Sequence, residues 1–238
     1  LWDKCIFVPD ANLLLNIYRY ADATRKDLFR VLENLGDRVW IPYQAAKEFY
    51  KNRINVITDQ KQKYAELERS LDETLTDLRD GNFRKSAFLR VEKIEEILKP
   101  AIEQARKQIQ EQSSEHPNLL QDDTYLERLV SIVGPRIGSA PDAESFQKEC
   151  TEAQSRIDRT QPPGFRDGKK PTPDRYGDVL IWFELLAHAE TKKLPIVFVT
   201  DDDKEDWWQI VQGEKLGPRP ELREEMHKRA GVEFYIVK

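Results

Sequence analysis

The chain has 238 residues, which is enough for one α/β domain with its own core or for one domain that carries a sizeable insertion. Charged residues make up 34% of it, a share that favours long solvated helices over a compact all-β fold. The formal net charge of -5 excludes a globally basic protein. A nucleic-acid partner would therefore have to be bound by local patches of Lys and Arg.

Membrane and disulfide signals are both missing from the sequence. No apolar run is long enough to span a bilayer and no signal-peptide pattern is present, so we expect no membrane partner. The two cysteines, Cys5 and Cys150, lack metal-type spacing and do not form a disulfide framework, which predicts a reducing, cytoplasmic setting. The chain begins with Leu1 rather than Met, as a fragment of a longer protein would.

Apolar runs alternate with helical patterns in the first 59 residues. A short apolar run predicts a buried strand at residues 5–8, which stops at Pro9 and Asp10. A second apolar run predicts another buried strand at residues 38–42. The segments between and after them favour helices at residues 13–20, 24–35 and 45–59.

The middle of the chain has a different pattern. Up to about residue 115, Leu and Ile recur at spacings of three and four, which predicts a charged helical hairpin broken at Gly81-Asn82 and kinked at Pro100. Two shorter helices are predicted to follow, at residues 122–133 and 141–157. We therefore divide the chain into an α/β domain and a helical insertion, with residues 1–57 and 160–238 in the first and residues 58–159 in the second.

The last third of the chain returns to alternating elements. Residues 160–173 form a loop rich in Pro, Gly and Lys, and an apolar helix begins near Asp174 and runs to about residue 191. A third strand at residues 195–200, a helix that carries Trp207 and Trp208, and a fourth strand at residues 232–237 complete the prediction. This alternation implies a mainly parallel sheet that helices cover on both faces.

Acidic residues follow the predicted strands. In an open parallel sheet, ligands bind at the carboxyl ends of the strands, and here the first strand ends at Asp10. The third strand ends at Asp201, Asp202 and Asp203. Two more acids, Glu48 and Asp178, lie on predicted helices that follow the second strand and the loop. Each acid alone has an ordinary structural explanation, since Asp10 could cap a helix and Asp178 could complement a helix dipole.

Several carboxylates in one pocket would repel each other unless their pKa values rise or cations lie among them. Oxygen ligands with no His or Cys nearby favour Mg²⁺ or Mn²⁺. Divalent cations held in this way promote in-line displacement at phosphorus. The acids therefore predict a metal-dependent phosphoryl-transfer or phosphodiester-cleaving site.

Four motifs carry a resemblance to a known family. They are VPDANLLL at residues 8–15, PYQAAKEF at 42–49, YGDVLIW at 176–182 and FVTDDDKEDWW at 198–208. Together, and in this order, they resemble the PIN-like nuclease superfamily, in its bacterial branch with a large helical insertion. The resemblance implies an α/β, PIN-like three-layer fold, with a mainly parallel sheet flanked by helices and an inserted α-helical hairpin region.

The resemblance also implies a function and a set of site residues. It implies a Mg²⁺- or Mn²⁺-dependent endonuclease that cleaves phosphodiester bonds, more often in RNA than in DNA, and a role as a toxin or antiphage defence effector. The implied catalytic acids and metal ligands are Asp10, Glu48, Asp178 and Asp202, with Asp201 as a further metal ligand. The implied supporting residues are Asn12, Thr200, Asp203 and Asp206.

Basic residues near these acids are candidates for substrate contact. Arg166, Lys169 and Lys170 share the loop just ahead of Asp178 and could close on a phosphate backbone. This prediction also includes Arg53 and Arg175, and the weaker candidates are Arg19, Arg25, Lys51 and Lys204. Compact PIN domains have a much shorter connection where this chain has its insertion, which could bind nucleic acid, a protein partner or a second copy of the chain.

Two other enzymatic functions are disfavoured by the sequence, and one non-enzymatic function remains open. A haloacid-dehalogenase-like phosphatase would need a second Asp two positions after Asp10, where this chain has Asn12, and no Walker-type loop supports an NTPase. A catalytically silent PIN scaffold that binds through the helical insertion is the non-enzymatic alternative. Metal binding would distinguish it from a nuclease, because a nuclease gains stability with the logarithm of the metal concentration.

Overall fold

A computed structural model of the chain describes residues 2–81, 83 and 88–238. It contains two compact units, of which the first comprises Leu1–Arg53 with Tyr125–Lys238 and the second comprises Ile54–Thr124. The division that we predict at residues 57/58 and 159/160 stays a prediction. Within the part of the chain that the structure describes, no helix has both the length and the apolar character needed to cross a membrane.

The first unit is built around parallel strands. In chain order the strands are β1 (Ile6–Pro9), β2 (Ile196–Val199), β3 (Trp208–Val211), β4 (Glu214–Pro218) and β5 (Phe234–Val237). Three of them form one parallel sheet in the order β1-β2-β5. Pro9 is in register with Val199, so the carboxyl ends of β1 and β2 lie side by side. Asp10 and Thr200, the next residues along the chain, therefore become neighbours.

Helices flank this sheet and confirm the predicted α/β class with its added helical region. They are α1 (Ala11–Leu15), α2 (Asp22–Leu35), α3 (Tyr43–Asp80), α4 (Val91–Glu115), α5 (Thr124–Val133), α6 (Ala143–Asp158), α7 (Gly177–Lys192) and α8 (Pro220–Ala230). The most apolar of them, α7, packs against both α6 and α8. It buries Trp182, Leu185 and Leu186 completely, as its sequence requires.

The predicted second strand at residues 38–42 is wrong as a continuous strand. Val39 makes a single parallel bridge to Phe7, and Ile41 makes another to Ile137. The backbone is extended, but Pro42 has no N–H to continue a ladder and α3 begins at the next residue. A short apolar run is thus buried here without becoming a full strand.

The predicted helix at Trp207 and Trp208 is also wrong. Trp208 begins an antiparallel hairpin of β3 and β4, which turns at Gln212 and Gly213. Both turn residues have positive φ, 53° and 86°, as a two-residue turn between twisted strands requires. Trp207 is nevertheless a core residue, as expected, because its ring lies 4.7 Å from that of Phe198.

The second unit contains the C-terminal part of α3 and the whole of α4. Ion pairs join the two helices between Arg79 and Glu95 at 2.6 Å and between Arg106 and Asp72. The predicted break follows α3, which ends at Asp80, although Asn82 lies outside the described residues. Pro100 is inside α4, as predicted.

One contact between α7 and α3 helps to place the functional region. The first backbone N–H groups of a helix have no partner within the helix. At the start of α3, the N–H groups of Tyr43 and Gln44 donate to the carboxylate of Glu184, at 2.5 and 2.9 Å. Glu184 lies on α7, two turns after Asp178, and Glu48 lies on α3, one turn after Gln44. The helix that carries one site acid thus caps the helix that carries another.

Replacing Glu184 by Ala is expected to lower the free energy of unfolding by about 1–3 kcal/mol, because two partly buried N–H donors lose their acceptor. Urea denaturation checks this value. The matched control on the same helix is Glu190→Ala, which removes a half-exposed pair with Arg229 and should change stability by less than about 0.5 kcal/mol. Equal effects of the two substitutions would contradict the capping role.

Candidate active site

A cavity of about 500 Å³ opens where β1 and β2 end. Its walls come from α1, α3, α6, α7, the loop before α7 and the residues that follow β1 and β2. Five of the carboxylates that line it have buried or largely buried side chains, and they are Asp10, Glu48, Asp167, Asp178 and Asp202. Four of these acids are the ones that the sequence predicts as catalytic residues, so the fold brings that set together.

Asp10 is fixed by the two neighbouring strand ends. Its Oδ1 accepts a hydrogen bond from the N–H of Ala11 at 2.7 Å, and its Oδ2 accepts one from Thr200 Oγ1 at 2.8 Å. Asn12 Nδ2 donates to the same Oδ2 at 3.3 Å. Asp10 therefore caps α1 and lines the cavity at once. Burial raises the pKa of Asp10, although the bonds from Thr200 and Ala11 oppose the rise.

Glu48 enters the cavity from α3 and lies against the start of α7. Its Oε1 accepts a hydrogen bond from Gln44 Nε2 at 2.7 Å. Burial raises the pKa of Glu48 in spite of this bond. A Cβ placed on Gly177 would lie 2.3 Å from the same Oε1, closer than real contacts allow. A side chain at residue 177 would therefore displace the Glu48 carboxylate from its position beside the first turn of α7.

The Lys204 ammonium lies between the other three acids, which are Asp167, Asp178 and Asp202. Lys204 Nζ lies 2.9 Å from Oδ2 of Asp178, 2.9 Å from Oδ2 of Asp202 and 3.0 Å from Oδ2 of Asp167. Burial disfavours the charged form of Lys204, but Asp178 and Asp202 outweigh it and raise the lysine pKa, so the ammonium stays charged. We call these four residues the lysine-centred cluster.

Burial affects the acids of the lysine-centred cluster differently. It raises the pKa of Asp178 to about 7, against the attraction of Lys204. Burial also acts on Asp167, but hydrogen bonds from Lys170 and Lys204 outweigh it and lower the pKa of that acid. Lys170 Nζ lies 2.7 Å from Asp167 Oδ2, so Asp167 is held by two lysines.

Asp206 lies next to the cavity and anchors the loop that carries Asp167. The carboxylate is fully buried, and its Oδ2 accepts hydrogen bonds from the N–H groups of Gly164 at 3.0 Å and Arg166 at 3.2 Å. Burial raises the pKa of Asp206, which the two backbone bonds oppose. Gly164 has a φ of 91°, and a Cβ there would lie 2.6 Å from the side chain of Val179. The sequence predicts Asp206 as a supporting residue, and the structure places it beneath this loop.

The acids at residues 201–203 separate into different environments. Only Asp202 lines the cavity. Asp201 is exposed and accepts a hydrogen bond from Asn16, and Asp203 is exposed and pairs with Lys215 and Lys238. The predicted role of Asp201 as a metal ligand therefore has no geometric support, since its exposed carboxylate does not line the cavity.

The predicted substrate-binding residues are also spread out. Lys170 lines the cavity. Arg166 is exposed and pairs with Glu205 at 3.3 Å, Arg175 reaches Gln154 at 3.4 Å, and Lys169 is exposed. Arg53 lies on α3 outside the cavity lining. Of the predicted group only Lys170 meets the carboxylates, and the other lysines that line the cavity are Lys47, Lys51 and Lys204.

Sequence reasoning missed two features of this site. Asp167 lies in the segment GFRDG of an irregular loop, where an acid has no periodic pattern to reveal that it is buried. Lys204 was predicted only as a weak candidate for substrate contact, although it directly follows the acids 201–203. Both positions depend on a contact between two loops that are distant in sequence, for which the sequence has no local pattern.

The oxygen atoms that line the cavity are of the type that binds a hard divalent cation. Within the described ranges, no group of three or more His, Cys, Asp and Glu side chains is arranged as a ready metal site. The described acids of the cavity supply only carboxylate oxygens, which are the ligands that Mg²⁺ and Mn²⁺ prefer. Asp10 and Glu48 form no ion pair with any cation that the structure describes, so these two remain open to one.

Comparison with known proteins agrees with this architecture. A family model described as a PIN like domain matches residues 6–222, from β1 into α8, and this range includes all five acids of the cavity. No curated protein and no solved structure is significantly similar to the chain. Because the match covers most of its length, the chain belongs to the family of PIN-like domains.

Proposed function

We propose that the chain is a divalent-metal-dependent endonuclease that hydrolyses phosphodiester bonds, in RNA rather than in DNA. PIN-like domains are generally nucleases. The observation that carries the proposal is the convergence of Asp10, Glu48, Asp178 and Asp202 in one cavity. These residues come from four separate segments of the chain, and burying their carboxylates together is unfavourable unless a cation joins them. The choice of RNA, and a role as a toxin or defence effector, rest on the family resemblance alone.

The proposed metal ligands are Asp10, Glu48, Asp178 and Asp202, with Mg²⁺ or Mn²⁺ as the cofactor. A bound divalent ion would supply Lewis-acid activation and charge neutralisation at the phosphate. The protein contributes orientation, because Thr200 and Asn12 hold the Asp10 carboxylate and Gln44 holds that of Glu48. Asp201 is left out of this set because its exposed side chain faces Asn16.

Lysines at the cavity suit a polyanionic substrate. Lys47, Lys51 and Lys170 line the same cavity as the acids, although the whole chain carries a net charge of -5. Positive side chains around an acidic centre can contact the flanking phosphates while the acids hold the cation. Nucleic acid is therefore the proposed partner.

One observation favours a second candidate, a catalytically silent PIN-like scaffold. In the described part of the chain Lys204 already contacts three of the acids and offsets one of their charges, as expected of a site that needs no metal. Such a scaffold would bind nucleic acid or a protein, or associate with itself, through the helical region. Against it stand Asp10 and Glu48, which are buried without a described cation and would destabilise a protein that had no use for them.

Replacing Asp10 by Asn should abolish cleavage, because Asn keeps the shape of the side chain and removes the charge that a metal needs. With labelled single-stranded RNA and DNA, we expect Mn²⁺- or Mg²⁺-dependent cleavage, inhibition by EDTA, and a loss on the order of 100-fold or more in the variant. Asp37→Asn is the matched control, since that side chain is fully exposed and pairs only with Arg136.

The results separate the two functions. Cleavage of RNA that is lost in the Asp10 variant supports the nuclease, and equal cleavage by the Asp10 variant and the control would show that the activity comes from elsewhere. Absence of cleavage together with no rise in melting temperature on adding Mn²⁺ would favour the scaffold, because a protein that binds the ion in its folded state must be stabilised by it.

Gly177→Ala tests the close approach of α7 to Glu48. The added methyl group would lie 2.3 Å from Glu48 Oε1, so the carboxylate must move while the buried face of α7 stays intact. We expect a loss of about 10- to 100-fold in cleavage rate with little loss of helical signal in circular dichroism. Gly134→Ala, where the nearest atom is 3.4 Å away, should keep the wild-type rate. An unchanged rate for Gly177→Ala would remove Glu48 from the proposed site.

A further inference from the structure

Lys204 is held among the acids more firmly than a surface lysine. Its Nζ contacts Oδ2 of Asp167, Asp178 and Asp202 at 2.9–3.0 Å, and only 29% of its side chain is exposed. Its own backbone N–H donates to Asp202 Oδ1 at 2.9 Å, so Asp202 fixes both ends of the residue. The three carboxylates come from the loop before α7, from α7 itself and from the loop after β2. The ammonium therefore joins three segments of the chain.

The acids of the cavity fall into two groups by their partners. The three acids of the lysine-centred cluster share a cation, whereas Asp10 and Glu48 accept hydrogen bonds only from neutral groups in the described part of the chain. Lys204 and Lys170 offset two of the five negative charges. One divalent ion would nearly neutralise the remainder, while a second ion would have to displace the ammonium from three short contacts.

From this arrangement we propose that Lys204 is a permanent second cation of the site, so that the chain binds one divalent ion where an acidic cluster of this size could hold two. The inference rests on the proposed function, because it assumes that the cavity binds a metal. Lys204 acts as a positioning residue. It contacts Asp178 and Asp202 and holds them in place, and it leaves Asp10 and Glu48 as the acids without a direct cation contact among the described residues.

The experiment counts Mn²⁺ ions on the full chain by equilibrium dialysis and by electron paramagnetic resonance of the free ion. We expect one ion per chain for the wild type and two for Lys204→Met, which keeps the length of the side chain and removes its charge. Without metal, the variant should melt at a lower temperature, because three carboxylates lose their shared partner. Its melting temperature should rise more than that of the wild type when Mn²⁺ is added.

Lys51→Met is the matched control. Lys51 also lines the cavity, but it pairs with Asp174 at 2.6 Å and not with the lysine-centred cluster. The substitution removes the same charge from the same cavity, so it separates a general electrostatic effect from the specific position of Lys204. We expect one Mn²⁺ ion per chain for this variant.

Each result decides the proposal. Two ions on the wild type, or one ion on folded Lys204→Met, would overturn the role of Lys204 and leave a metal-dependent nuclease intact. No ion on the wild type would overturn both the metal dependence and this inference. If Lys204→Met does not fold, the count on the wild type still tests the proposal, because it requires no substitution.

Discussion

The packing of several carboxylates at the ends of two parallel strands is the constraint on which this structure depends. Asp10 directly follows β1 and Asp202 lies three residues after the end of β2, and both line the same cavity. Carboxylates that share one cavity repel each other and destabilise the fold unless protons or cations neutralise them. The protein meets this requirement partly with Lys204, which contacts three acids, and partly with the Thr200 hydroxyl, which bonds Asp10 across the strand pair.

Groups outside the cavity keep these acids in position. Glu184 ties the start of α3 to α7, Gly177 allows the two helices to approach closely, and Asp206 holds the loop that carries Asp167. None of these groups needs to touch a substrate. Each acid lies on a different element of the chain. These groups therefore position the acids by fixing the packing between those elements. The four predicted acids lie within residues 6–222, the range that the PIN-like family model matches, and all four line the cavity.

The arrangement also relates the two functions that the chain could have. A nuclease and a silent scaffold would share the sheet, the apolar α7 and the helical unit of residues 54–124, since these are required by folding alone. They differ in whether Asp10 and Glu48 ever receive a cation. A buried carboxylate with only neutral partners destabilises the folded protein. A cation that binds this carboxylate stabilises the folded protein. The electrostatics of the site, and not the fold, therefore distinguish the two functions.

The sequence by itself determined the strands β1, β2 and β5, the apolar α7 and the long helices, because burial imposes a period on the residues of each element. It also determined four of the five acids, since these follow strands or begin a helix. Only the tertiary structure decided that residues 38–42 make single bridges, that Trp208 begins a hairpin, and that Asp201 and Asp203 do not line the cavity. The positions of Asp167 and Lys204 were decided there too. They lie in irregular loops, where the contacts are made with residues distant in sequence and no local pattern records them.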